Sequence, residues 1–116
     1  MAGFNVNINL SGVLNATSAA LDHAQIAIDQ QVLKDGNFYA PQDTGELKRS
    51  GIRASHPGSG KVIWDTKYAS KVWNARRVSL DRNPNAKARW AEVAAAEHKG
   101  DWITVGQNAV NAYLRR

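Results

Sequence analysis

The N-terminal third of the chain carries a helical pattern that another layer of structure has to cover. Its apolar side chains recur on one face at about 100° per residue, at Leu14, Leu21, Ile28 and Val32. The pattern predicts an amphipathic helix over residues 12–34, capped by Ser11 or Asn15 and ended by Asp35-Gly36. An apolar stripe this long is stable only when it packs against other elements, so the fold needs at least two layers.

Strands are predicted at two places. Pro57-Gly58-Ser59-Gly60 is a strong turn signal between the runs 52–56 and 61–66, which together predict an antiparallel hairpin. The alternating polar and apolar residues 5–10 predict a further strand, or an arm that reaches a neighbour.

Helical spacing returns in the second half of the chain. It predicts helices over 67–74, 86–99 and 102–114, with Gly100-Asp101 as a break between the last two. Residues 75–85 have few apolar side chains and no period, which predicts an exposed loop. The predicted fold class is α+β: a small antiparallel β-sheet with a hairpin, packed against N- and C-terminal helices in a single domain of 116 residues.

Composition removes several classes of protein. The chain has no cysteine, which excludes disulfide frameworks, Cys–zinc sites and thiol nucleophiles. No apolar run approaches the ~18 residues of a membrane span, and the basic-then-apolar order of a signal peptide is missing. We therefore expect no membrane partner and synthesis in the cytoplasm.

Charge is divided unevenly along the chain. Residues 1–44 hold one Lys and four Asp, a net charge of −3. Residues 45–116 hold 14 Lys and Arg against six Asp and Glu, a net charge of +8. Such a division fits a nucleic-acid partner, subunits that attract one another, or a solvated basic face.

Catalytic patterns are weak in this sequence. His23, His56 and His98 do not have the helical i, i+3 or i+4 spacing of zinc ligands. Gly58-Ser59-Gly60-Lys61 lacks the fixed spacing of a phosphate-binding loop. We predict a protein that is not an enzyme and has no cofactor, no metal and no catalytic residues.

Tryptophan and arginine are the residues expected at contacts, since both are enriched at protein interfaces. The interface candidates are Trp73, Arg76, Arg77, Arg82, Trp90 and Trp102. The tryptophans could also anchor the core, or stack on nucleic-acid bases beside the arginines. Within the loop, Arg76 and Arg77 are the preferred anchors for a neighbouring subunit, because Arg suits fixed bidentate pairing.

The most specific pattern is a proline followed by Asp-Thr-Gly, Leu and Ser, and later by Tyr-Ala: Pro41, Asp43, Thr44, Gly45, Leu47, Ser50, Tyr68 and Ala69. Asp43 and Thr44 offer oxygens to the free amides of a helix start. Gly45 permits a sharp turn there, and Leu47 points a short helix, 45–50, into the core. The motif therefore predicts a scaffold feature rather than a catalytic site.

In this order, and with Ala88-Arg89-Trp90-Ala91-Glu92 and Asp101-Trp102 later on, the pattern resembles the minor capsid and head–tail joining (tail-completion) proteins of long-tailed bacteriophages. The resemblance covers residues 30–103. It implies a structural protein of the virion neck, made in the host bacterial cytoplasm, that forms a ring, expected to be a hexamer. The implied partners are other copies of the chain, the connector or stopper ring, the tail terminator or tail tube, and DNA passing through the lumen. The alternative is a small basic nucleic-acid-binding protein, which the residues alone leave open.

Overall fold

The computed structural model describes residues 2–6, 17–41, 45–78, 80 and 83–115. In chain order its elements are β1 (Ala2–Asn5), α1 (Ser18–Tyr39), α2 (Glu46–Ala54), β2 (Lys61–Trp64), α3 (Ala69–Trp73) and α4 (Trp90–Arg115). The structure combines a two-stranded antiparallel sheet with helices towards both ends of the chain, which confirms the predicted α+β class.

Helices α1 and α4 form the largest contact of the fold. Each buries side chains spaced mostly four residues apart: Ala20, Ala24, Ile28, Val32 and Gly36 on α1, and Trp90, Ala94, Trp102, Gly106 and Val110 on α4. Residues four apart form ridges that interdigitate between packed helices, and the small members allow a close approach. The predicted stripe is confirmed at Ile28 and Val32, whereas Leu21 is exposed and Leu14 lies outside the described residues.

Helix α1 occupies different bounds from those predicted. It begins at Ser18, where Thr17 Oγ1 accepts a hydrogen bond of 3.1 Å from the amide of Ala20, so Thr17 is the cap. The predicted caps, Ser11 and Asn15, lie outside the described residues. The predicted end at Asp35-Gly36 is wrong, because the helix continues to Tyr39. Gly36 is needed for packing instead: a Cβ there would lie 3.2 Å from the Trp64 ring.

The predicted break at Gly100-Asp101 is also wrong, since α4 runs through it without interruption. Gly100 is exposed, and a Cβ placed on it would meet nothing within 4 Å. A single glycine inside a helix costs only about 1 kcal/mol relative to Ala, which the packing of a long helix can offset. The two predicted helices are therefore one.

The strand that pairs with β2 is β1 and not the run 52–56. Ala2 pairs with Trp64 and Asn5 with Lys61, and the Val6 amide donates to Gly60 O at 2.7 Å beyond the ladder. Residues 52–54 belong to α2. Ser55 meets the other edge of β2 with its side chain alone, since its Oγ accepts from Ile63 N at 2.9 Å and donates to Ile63 O at 3.3 Å.

The turn signal was correct, but the run predicted as the first strand of the hairpin is not a strand. The hairpin prediction is therefore wrong. The predicted strand at 5–10 overlaps β1 only at Asn5, and residues 7–10 lie outside the described residues. Periodicity identifies strands locally but does not say which distant strand is the partner.

Candidate functional site

The proline-to-serine motif builds the start of α2. Gly45 takes the left-handed conformation at φ 82° immediately before the helix, which glycine adopts without strain. Leu47 is buried, and Ser50 Oγ donates to Leu47 O at 2.7 Å inside the helix. Pro41 is buried, while Asp43 and Thr44 lie outside the described residues, so their capping role stays a prediction.

The motif helix is held against β2 through Asn37 and Gly51. Asn37 Oδ1 accepts from Trp64 Nε1 at 2.9 Å, and its Nδ2 lies 3.4 Å from Lys48 O on α2. Gly51 lies directly on the Trp64 indole, where no side chain fits. The tryptophan of β2 is therefore the common support of α1 and α2.

Three tryptophans form one cluster in the core. The ring centroid of Trp90 lies 4.8 Å from that of Trp73 and 5.5 Å from that of Trp64, both edge to face. Trp64 and Trp73 are 6.4 Å apart. Edge-to-face aromatic pairs add about 0.5–1.5 kcal/mol beyond their buried area. The cluster ties β2, α3 and the first residue of α4 together.

The tryptophans suggested as interface candidates are thus core residues. Trp73 and Trp90 are buried in the cluster, and Trp102 is buried on α4, where its Nε1 donates to Asp35 Oδ2 at 2.6 Å. They cannot touch a neighbouring subunit unless the core unpacks. Of the Tyr-Ala pair, Ala69 is buried at the start of α3 and Tyr68 is exposed.

A buried carboxylate, missed by the sequence analysis, holds the glycine-rich turn. Asp29 lies on α1 next to the apolar stripe, and only 1% of its surface is exposed. Its Oδ2 accepts from the amides of Gly58 at 2.8 Å and Gly60 at 2.9 Å, and its Oδ1 accepts from Gln25 Nε2 at 2.7 Å. The available signal was the turn itself, whose amides need acceptors that a two-stranded ladder does not supply.

The loop at residues 75–85 is anchored at one buried side chain. No helix or strand occurs in its described part, residues 75–78, 80 and 83–85, as predicted. Asn83, however, is only 6% exposed, and its Nδ2 donates to Phe38 O at 2.9 Å and to Ala40 O at 2.8 Å. The residues that flank the loop are held together by a backbone hydrogen bond, since the Arg89 amide donates to Trp73 O at 3.1 Å.

The surface of this region is basic. Between Thr66 and Ala91 the sequence has seven Lys and Arg and one acidic residue, Asp81. The exposed members are Lys67, Lys71, Arg76, Arg77, Lys87 and Arg89; Arg82 lies outside the described residues. Arg89 lies 3.5 Å from Glu92 and 3.3 Å from Asn74 Oδ1. We call residues 67–89 the basic segment; it contains Trp73 of the tryptophan cluster and ends one residue before Trp90.

Titratable groups elsewhere form exposed pairs. Hydrogen bonding to Asp101, at 3.0 Å, raises the pKa of His98 above its usual value. Hydrogen bonds from Arg49 and then Arg53 lower the pKa of Glu46. In the described residues no three His, Cys, Asp or Glu side chains converge as metal ligands, and no helix there is long and apolar enough to cross a membrane.

The described residues thus combine a packed tryptophan core with a charged surface. The family model described as minor capsid protein matches residues 4–110, and the chain belongs to this family. It is accordingly a structural protein of a bacteriophage and a component of the virion. Neither the curated proteins nor the solved structures gave a significant match.

Proposed function

We propose that this minor capsid protein works in the neck of the virion, as one subunit of a ring that joins the head connector to the tail. A joining subunit has to present a charged surface on a support that does not deform. The basic segment meets this need, since it leaves and rejoins the tryptophan cluster at Trp73 and Arg89. Its partners are other copies of the chain, in a ring expected to be a hexamer, the connector or stopper ring, and the tail terminator or tube.

The neck role is tested by deleting the gene for this protein from the phage genome. We expect DNA-filled heads and separate tails in electron micrographs, and joined particles again when the protein is supplied from a plasmid. A reconstruction of the complemented particle should show its density between connector and tail. Joined, infectious particles made without the protein would contradict the proposed role.

Within the ring, Arg76 and Arg77 are proposed to bind a neighbouring subunit or ring. Both are exposed, and a guanidinium pairs bidentately with a carboxylate. We expect the variant Arg76→Ala/Arg77→Ala to join heads to tails poorly, while its free energy of unfolding changes by less than about 0.5 kcal/mol per substitution, as is usual at the surface. Infectious titre and thermal melting measure the two effects.

The matched control removes the same charge from α3 and from the turn two residues before it. The variant Lys67→Ala/Lys71→Ala loses two exposed cations of the basic segment but leaves the loop intact. Equal loss of titre in both variants would assign the effect to net charge and not to the two arginines.

DNA binding is the second candidate, and the same basic segment supports it. A protein that neutralises phosphates loses affinity steeply as salt rises. A gel-shift titration from ~50 mM salt upward tests this, and no shift at the lowest salt removes the candidate. In a neck ring the two functions are compatible, because basic residues at a lumen would contact DNA without recognising its sequence.

A further inference from the structure

Arg89, the residue before α4, has a backbone conformation that an arginine disfavours. Its φ is 50°, and among the described residues it alone has a positive φ without being glycine. This left-handed conformation crowds the Cβ of an L-residue against the backbone, so glycine adopts it more readily. Backbone hydrogen bonds hold the conformation on both sides, since the Arg89 amide donates to Trp73 O at 3.1 Å and its carbonyl accepts from Val93 N at 3.1 Å.

The same position is unfavourable for a cation. The hydrogen bond from Val93 to the Arg89 carbonyl begins α4, so Arg89 occupies the capping position of this helix. Ser, Thr, Asp, Asn and Gly are preferred there. An arginine side chain has donors only and cannot accept from the free amides, and its charge lies at the end of the helix dipole that favours anions. Glycine would therefore suit both the backbone and the helix better than arginine.

The guanidinium of Arg89 is held in one place at the surface. Its Nη2 donates to Asn74 Oδ1 at 3.3 Å, and its Nη1 lies 3.5 Å from Glu92 Oε1. Asn74 is itself fixed, because its Nδ2 donates to Ser70 O on α3 at 2.9 Å. More than half of the Arg89 side chain, 54%, stays exposed. Exposed pairs of this length contribute little to stability, so they do not account for an arginine at a position that suits glycine.

We propose that Arg89 binds an exposed carboxylate on the adjoining ring of the neck, a role that rests on the proposed joining function. A guanidinium has several N–H donors in a planar fork, and Asn74 and Glu92 use two of them. Those contacts fix the plane of the fork, so its other donors can pair bidentately with a carboxylate at little further cost in side-chain entropy. Backbone strain of the kind seen at Arg89 concentrates at functional sites.

The charges favour a carboxylate of a different protein as the bound group. The chain has a net charge of +5, so its copies repel one another at long range. Two of the three Asp described in residues 1–44, Asp29 and Asp35, accept hydrogen bonds from their own chain. A DNA phosphate is disfavoured at this point, because the carboxylate of Glu92 is half exposed beside the guanidinium and repels it. An acidic patch on the adjoining connector, stopper or tail ring fits best.

The variant Arg89→Gly tests the role because it separates stability from joining. We expect its melting temperature to equal or exceed that of the original chain, since glycine removes the backbone strain and the unfavourable charge. The titre of infectious particles should fall by about tenfold or more, because the partner's carboxylate loses its bidentate donor. A normal titre overturns the proposal. So does a melting temperature lowered by more than about 5 °C, which would mean that Arg89 serves the fold and not a partner.

Two further variants separate the planar fork from the charge. Arg89→Lys keeps the charge but loses bidentate pairing, so its titre should stay well below that of the original phage. A full titre with lysine would mean that a point charge suffices, and the proposal would be wrong. Lys87→Ala is the matched control, because it removes the same charge from an exposed site two residues earlier. Its titre should stay near the original, whereas a loss equal to that of Arg89→Gly would assign the effect to net charge.

Experiments on the purified full chain distinguish the other possible partners. Native mass spectrometry should show the same oligomeric state for Arg89→Gly as for the original chain. If only the variant loses self-assembly, the carboxylate belongs to a second copy, and the proposed partner is wrong. A DNA gel shift at ~50 mM salt that only the variant loses would identify a phosphate, with the same consequence. If deletion of the gene separates heads from tails but Arg89→Gly joins them normally, the role of Arg89 fails while the neck role stands.

Discussion

Replacing Asp29 with Ala is expected to lower the free energy of unfolding by about 3–5 kcal/mol, because it removes the buried carboxylate that accepts from two amides of the glycine-rich turn. Hydrogen bonds to a charged group contribute about 1.5–3 kcal/mol each. The amides of Gly58 and Gly60 both donate to Oδ2 of this one carboxylate. Folded domains are typically stable by only about 5–15 kcal/mol, so a loss of this size is a large part of the total free energy of unfolding. Urea denaturation followed by tryptophan fluorescence measures the loss.

The isosteric variant Asp29→Asn separates the hydrogen bonds from the charge. Its side-chain oxygen can still accept from both amides, and Gln25 can rotate to present its own oxygen to the new amide group. Neutral hydrogen bonds are roughly half as strong as charged ones, so we expect a loss of about 1–2 kcal/mol. If the Ala and Asn variants are equally stable, the carboxylate does not hold the turn.

Gly51→Ala is expected to destabilise the protein by about 3 kcal/mol, the upper part of the usual range for overpacking. An added Cβ would lie 2.5 Å from Trp64 Nε1 and 2.9 Å from Leu33 Cδ1. Leu33 can rotate its end away. The Trp64 indole cannot, because Asn37 and the rings of Trp73 and Trp90 hold it. The melting temperature and near-ultraviolet circular dichroism, which reports tryptophan packing, should both change.

Gly100→Ala is the matched control, also at a glycine within a helix. Nothing lies within 4 Å of the added Cβ, and Ala is the better helix former by about 1 kcal/mol. We expect this variant to be slightly more stable than the original chain. A Gly51→Ala variant as stable as Gly100→Ala would mean that α2 can move away from Trp64 at little cost.

These glycines illustrate what the sequence could and could not predict. The apolar stripe at Ile28 and Val32, the short helix after Gly45 and the loop before Asn83 follow from local patterns, and the structure contains them. Gly36, Gly51 and Gly100 look like helix ends in the sequence, yet all three lie inside helices. The first two allow close contact with Trp64, which depends on a strand distant in sequence.

The candidate site was predictable to a smaller extent. Charge counts placed the excess of Lys and Arg in residues 45–116 without singling out the basic segment, whose exposed Arg76 and Arg77 lie where the loop was predicted. The burial of Trp90 and Asp29 was not predictable in the same way. An aromatic side chain suits both a core and an interface, and a carboxylate off the apolar stripe is usually solvated. Asp29 is not solvated because the glycine-rich turn lies over α1 and donates to its carboxylate.

The sheet register has a consequence for synthesis. Ala2 pairs with Trp64, and α1 packs on the last helix of the chain. Elements β1 and α1 therefore wait for elements made after them, and contacts of such long sequence separation form slowly because loop closure comes first. Until α4 emerges, the apolar face of α1 has no permanent cover within its own chain. A subunit with a closed core therefore exists only after α4 has been made, and until then the chain cannot enter a growing particle in its folded form.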